Sequence, residues 1–225
     1  GTYSPTASPR RAEVPPFYNS GRINRKDGPE DMSLNERCMG GGLPDFGGFR
    51  RIVQSPGGNV TMYYDTGQGQ GWQRVIPITN QPHLPSSIRL WAGDARGHWE
   101  GNTLVVDTTN FTPKTVVNGS RENLHLIERF TRVDAKNLNY EVKIEDPTTW
   151  VSSWTVKQEM TLQDNEANRT YTEPRCHEGN YGLLGMLVSQ RAADLAFAEG
   201  RGPDPFTLGG EPGGAGGDEN QDVLQ

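Results

Sequence analysis

An apolar run of roughly 18 residues, the length a membrane-spanning helix needs, is missing from the chain, which therefore reads as not itself membrane-spanning. A basic stripe is missing too. Lysine and arginine (22) are outnumbered by aspartate and glutamate (28) and interspersed with them, so the formal charge is −6 and nucleic acid is not an expected partner. Catalytic signatures are equally scarce. There is no Gly-x-Ser-x-Gly elbow, no His-Glu-x-x-His or similar zinc spacing, and no glycine order that would cradle a phosphate. No cofactor and no metal are expected on that basis. Only two cysteines occur, Cys38 and Cys176, and neither stands in a Cys-x-x-Cys pair. Apolar residues make up just 32% of the chain, at a mean hydropathy of −0.73. In their place stand 28 glycines and 16 prolines, which imply a small core with long irregular connections rather than full disorder. The chain begins at Gly1 without a signal-peptide pattern and reads as a processed mature form or a piece of something longer.

What the chain does have is concentrated in its middle. Residues 1–48 hold Pro5, Pro9, Pro15, Pro16, Pro29 and Pro44 and no periodic apolar pattern. They are read as an extended arm with one short helical turn near 34–38. Residues 49–181 read as an antiparallel β domain. Its first strands are expected at 50–54 and 59–64, joined by the turn Ser55-Pro56-Gly57-Gly58, with a third at 73–78. Pro82-His83-Leu84-Pro85 breaks the pattern before a short helix at 86–91. Gly101-Asn102 then joins 98–100 to 103–106 as a two-residue hairpin turn.

Strands at 123–133 and 138–145 flank Asp134-Ala135-Lys136-Asn137. Leu138, Tyr140, Val142 and Ile144 alternate with Asn139, Glu141, Lys143 and Glu145, so the first set should face the core. A turn with two central residues would pair Val133 with Leu138, Arg129 with Val142 and Ile127 with Ile144. That register puts His125 and Arg129 on the apolar face, His125 beside Asp146, and Glu128 opposite Lys143 as a surface pair. Trp154, Val156, Met160 and Leu162 alternate again, and one more strand is expected at 169–172. Within 182–200 the spacing of Leu183, Leu184, Leu187, Val188, Ala192, Leu195 and Ala196 is helical, with Gly200 as the stop. Residues 201–225 form a Gly/Pro-rich acidic tail that cannot build a core.

The candidate chemistry rests on His125, Arg129, His177 and Glu178. Arg129 would hold an anionic group and His125 would act as acid or base. His177 and Glu178 are adjacent, so on a strand they face opposite ways unless Gly179 bends the chain. The plainer alternative, a satisfied internal polar network, is favoured. Asp94, Glu100 and Asp107 could pair as carboxylates for glycoside hydrolysis, but acidic residues at hairpin ends are usually just solvated. Trp154 fits the core, Trp99 cross-strand packing, and Trp72 an exposed loop. Cys38 and Cys176 are either two unrelated buried thiols or a disulfide tying the arm to the end of the β domain. Their polar, loop-like surroundings favour the disulfide.

Several stretches carry a resemblance: Pro82-His83-Leu84-Pro85, Gly93-Asp94-Ala95-Arg96-Gly97-His98-Trp99-Glu100-Gly101, Glu128-Arg129-Phe130-Thr131-Arg132-Val133, Glu145-Asp146-Pro147 and Cys176-His177-Glu178-Gly179-Asn180-Tyr181. With 103–111 they span somewhat less than half of the chain, which resembles a large family of exported bacterial proteins with no established activity. The resemblance implies export, a Cys38–Cys176 pair, and a chain shorter at its N-terminus than other members. The expectation is thus a mainly β protein, an antiparallel barrel or closed sandwich of lipocalin-like kind, with a C-terminal helix and long irregular arms at both ends. Its expected role is a non-catalytic accessory or structural subunit, periplasmic or extracellular, that docks onto other proteins of a larger assembly through its arms. The alternative is a secreted enzyme or small-ligand binder, carbohydrate-directed or otherwise, that uses the barrel interior.

Overall fold

A side-chain period of two builds most of the described secondary structure. The structure, a computed structural model, describes residues 3–5, 10–11, 28–32, 34, 36–40, 42–46, 49–64, 72–115, 117–164, 166, 177 and 180–205. Two short strands, β1 (Tyr3–Pro5) and β2 (Arg10–Arg11), precede a 3-10 turn at Pro29–Asp31. Then come β3 (Phe49–Gln54), β4 (Asn59–Tyr64) and β5 (Trp72–Pro77), a three-stranded antiparallel meander. A second meander holds β6 (Asp94–Glu100), β7 (Thr103–Thr109), β8 (His125–Arg132), β9 (Asn137–Glu145) and β10 (Trp154–Leu162). One helix, α1 (Gly182–Ala198), follows.

The fold is therefore mainly antiparallel β, as expected, with sheets of three and five strands and a C-terminal helix. The ladders among the described residues do not close into a barrel. Along one edge, β1 runs antiparallel to β10 from Tyr3↔Leu162 to Pro5↔Met160 and meets β3 at Tyr3↔Phe49. Further along, β2 pairs with the same edge of β10. The arm thus contributes strands where irregular chain was expected. Main-chain pairing to an open edge needs no apolar periodicity, so the sequence carries no sign of it. At the other end Ile78 makes one parallel bridge with Gly97, and Thr79 N donates to Gly97 O at 3.0 Å.

The inward faces form one core. Met62, Tyr64, Ile76, Val106, Leu126, Phe130, Tyr140, Val142, Ile144, Trp154, Val156 and Met160 are all buried. Leu138, Tyr140, Val142 and Ile144 face inward as the alternation predicts, and Trp154 is core. Trp72 is not an exposed loop residue. Its ring stacks on Tyr64 with centroids 4.2 Å apart.

The register of the β8–β9 hairpin differs from expectation by one residue. Asp134 Oδ1 accepts from the N–H groups of Lys136 (2.7 Å) and Asn137 (2.9 Å), and Val133 N donates to Asn137 O at 3.0 Å. The turn therefore closes on Val133 and Asn137, and Arg132 rather than Val133 pairs with Leu138. A slip of one residue exchanges the faces. Glu128 goes in, opposite Val142, while His125 and Arg129 go out, opposite Glu145 and Glu141. Two short helices expected from the sequence are also replaced. Residues 86–91 form turns, with Ile88 N donating to Pro85 O and Leu90 bridged to Phe111. The 34–38 segment is a turn closed by Met39 N to Leu34 O. The strand expected at 169–172 lies outside the described residues.

Candidate functional site

Two polar clusters stand out, one on each face of the five-stranded sheet. The outer cluster is a row across β6–β9. Asp107 on β7 comes beside His125 at the start of β8, and the β8–β9 register sets His125 opposite Glu145. His125 Nε2 lies 3.0 Å from Asp107 Oδ1, and its Nδ1 lies 2.8 Å from Glu145 Oε2. His83 arrives from the 79–91 connection. Its Nε2 is 3.2 Å from the same Asp107 Oδ1 and its Nδ1 is 3.0 Å from Asp94 Oδ2. Arg96 and Lys143 close the row, pairing with Asp94 and Glu145.

Each imidazole thus sits between two carboxylates. The hydrogen bond to Asp107 raises the pKa of His125, partial burial opposes it, and the Asp107 and Glu145 charges add to the rise. Asp107 is held below the ordinary carboxylate value, chiefly by His125. Glu145 is lowered chiefly by Lys143. A neutral imidazole donates from one nitrogen only, so both contacts of His125 are hydrogen bonds only in its cationic form. No serine or cysteine takes part in these contacts, and each imidazole is engaged by carboxylates on both sides.

The inner cluster is buried. Arg74 on β5 donates to Glu128 on β8 at 2.6 Å and to Thr108 on β7. Tyr140 on β9 donates its hydroxyl to the other Glu128 oxygen at 2.9 Å. Burial and the nearby Glu128 charge push the Tyr140 hydroxyl well up. Burial also pushes Tyr64 up, against the pull of Arg74. For Arg74, burial works against the charge, but Glu128 outweighs it and holds the guanidinium charged. The internal network expected around His125 and Arg129 does not form, because both face outward; the buried network is built on Arg74 and Glu128 instead.

Of the four sequence-predicted residues, His125 and Arg129 share one face but take different partners. His125 joins the outer row. Arg129, on the same face, donates instead to Glu100 at 2.6 Å. His177 is exposed, and Glu178 and Cys176 lie outside the described residues. Asp146 does not serve His125. Its oxygens accept from Ser120 Oγ (2.6 Å), Thr149 Oγ1 (2.8 Å) and the Thr148 N–H (2.8 Å). Sequence reasoning missed His83 and Glu145 as partners, because both depend on registers that only the folded hairpins reveal. Asp94 and Asp107, singled out as candidate carboxylates, do share a contact, through His83. No group of three or more His, Cys, Asp or Glu side chains among the described residues is placed to hold a metal ion.

The surface holds one more feature. Among the described residues α1 has no buried member, and Leu184, Val188, Leu195 and Phe197 are 47–63% exposed. Compared with family models, curated proteins and solved structures, the chain matches none.

Proposed function

We propose that the chain is a non-catalytic accessory or structural subunit that docks onto a partner protein through α1 and the arms flanking the β domain. The observation that carries this reading is the apolar, unburied helix. Leu184, Val188 and Leu195 recur at spacings of four and seven, so they share one face of α1. An apolar helix with no buried residue is costly in water, and seating it in an apolar groove would recover roughly 1.5–3 kcal/mol per large side chain. The test is a double substitution, Leu184→Glu with Leu195→Glu, in the protein expressed in its native cells. The chain should stay folded yet leave the assembly it belongs to. Retention of the doubly substituted chain in that assembly would refute the helix as the docking element.

Three finer readings accompany the proposal. An exported address, periplasmic or extracellular, rests on the resemblance and on a Cys38–Cys176 disulfide. Support for the pairing comes from Asn180, four residues beyond Cys176, whose Nδ2 donates to Glu36 O at 3.1 Å and to Cys38 Sγ at 3.0 Å. Barrel-like closure of the two sheets rests on the Ile78–Gly97 bridge. Lastly, a small-ligand role for the barrel interior is the weaker alternative, because Arg74, Glu128, Thr108 and Tyr140 already bond one another there.

A further inference from the structure

The 79–85 connection lies over the outer face of β6 and β7, and polar contacts hold it there. Thr79 N donates to Gly97 O (3.0 Å), Leu84 N to Asp94 Oδ2 (2.9 Å), and Asn110 Nδ2 to Leu84 O (2.8 Å). His83 supplies the side-chain clasp, with one nitrogen on Asp94 and the other on Asp107. Asp107 Oδ1 is shared, because His125 reaches the same oxygen from β8. Four ring nitrogens therefore face carboxylate oxygens of Asp94, Asp107 and Glu145, and all four contacts are hydrogen bonds only when both rings carry two protons. Once a ring loses a proton, one of its nitrogens becomes an acceptor pointed at an anion.

We infer that the His83–Asp107–His125 row is a pH-sensitive latch that clamps the 79–85 connection to the sheet in mildly acidic solution and loosens it as the pH rises. The charged groups facing the latch are Asp94 and Arg96 on β6, Asp107 on β7, His125 on β8, and Lys143 and Glu145 on β9. The two cations balance Asp94 and Glu145, which leaves the shared Asp107 to the imidazoles. Since the folded-state pKa of His125 is raised, its contribution is complete below the ordinary histidine value of about 6.5 and is lost as pH climbs through the higher folded value. The connection runs on into Leu84, Ile88, Leu90 and Trp91, all of them exposed, so loosening it alters an apolar stretch of surface.

Hydrogen exchange at the Leu84 amide, corrected for the intrinsic rate and followed from pH 6 to pH 9, reads the latch directly. Protection in the unsubstituted protein should fall by roughly three- to tenfold over that range, the scale of one partly solvated charged hydrogen bond. His125→Gln should flatten the profile, and His83→Gln should lower protection already at pH 6. If His125→Gln does not fold, Asp107→Asn removes the shared charge and should flatten the profile equally. A pH-independent wild-type profile, or an equal fall in whichever of these two variants folds, would overturn the inference.

Discussion

A buried guanidinium and carboxylate lose most of their hydration, and Arg74 and Glu128 are compensated by each other, Thr108, Tyr140 and Tyr64. Removing one partner leaves a buried charge alone, so Glu128→Ala should destabilise by about 3–5 kcal/mol in chemical unfolding. The double change Arg74→Met with Glu128→Leu should recover most of that loss, because an apolar pair of similar volume needs no partners. An equally unstable double variant would show that the site serves more than charge balance. Asp146 titrates differently. Burial raises its pKa, but the bonds from Ser120, Thr148 and Thr149 outweigh this and hold it below the ordinary carboxylate value. Its stabilisation is therefore present above about pH 4 and lost as pH falls through the lowered value. Asp146→Asn should cost about 1–3 kcal/mol at neutral pH. The stability difference from the parent should narrow on acidification, as measured by urea melts at several pH values. None of these partners was legible in the sequence. Glu128 looked like a surface residue because the Asp134 turn holds three residues inside its closing pair, and that single residue decides which face is the core.

At the scale of elements, the strands were legible wherever alternation was strict. Residues 138–145 and 154–160 read correctly because each inward position but Gln158 is apolar. The 82–91 connection was not legible, since its course depends on Asp94, Asn110 and Phe111, none of which lies within it. Nor were β1 and β2, since main-chain pairing to an edge needs no apolar periodicity. Where the two sheets meet, Gly97 permits a close approach. A Cβ there would lie 2.8 Å from both Ile76 Cγ2 and Ile78 Cδ1. Gly97→Val should therefore cost about 1–3 kcal/mol through overpacking, and a thermal melt would show it. An unchanged melting temperature would mean that β5 and β6 separate without penalty. Gly101 makes a useful control. It has φ +61° but nothing near its absent Cβ, so Gly101→Asn should be tolerated, a conformation asparagine accepts. Helix α1 was legible from spacing alone, but that none of its residues is buried among the described residues was not. Glutamate at Leu184 and Leu195 should shift stability by no more than about 0.5 kcal/mol, since neither side chain is buried.

At the scale of the whole molecule, a core built from two small sheets takes in Leu43 of the N-terminal arm, whereas α1 has no buried member among the described residues. A Cys38–Cys176 link would close a very long loop, worth up to about 4–5 kcal/mol on the chain-entropy model. Reduction should therefore lower the melting temperature markedly, and Cys38→Ser should reproduce the drop without reductant. A melting temperature indifferent to both would remove the disulfide and, with it, one ground for export. The docking role is the central claim, and the mass of the native particle tests it most directly. The protein would be released under mild conditions from the cells that make it, and its particle mass measured with the polypeptides present identified. A particle well above the 24.8 kDa of the chain, holding other polypeptides, is the predicted result. A lone monomer of that mass, with α1 open to proteases, would contradict it.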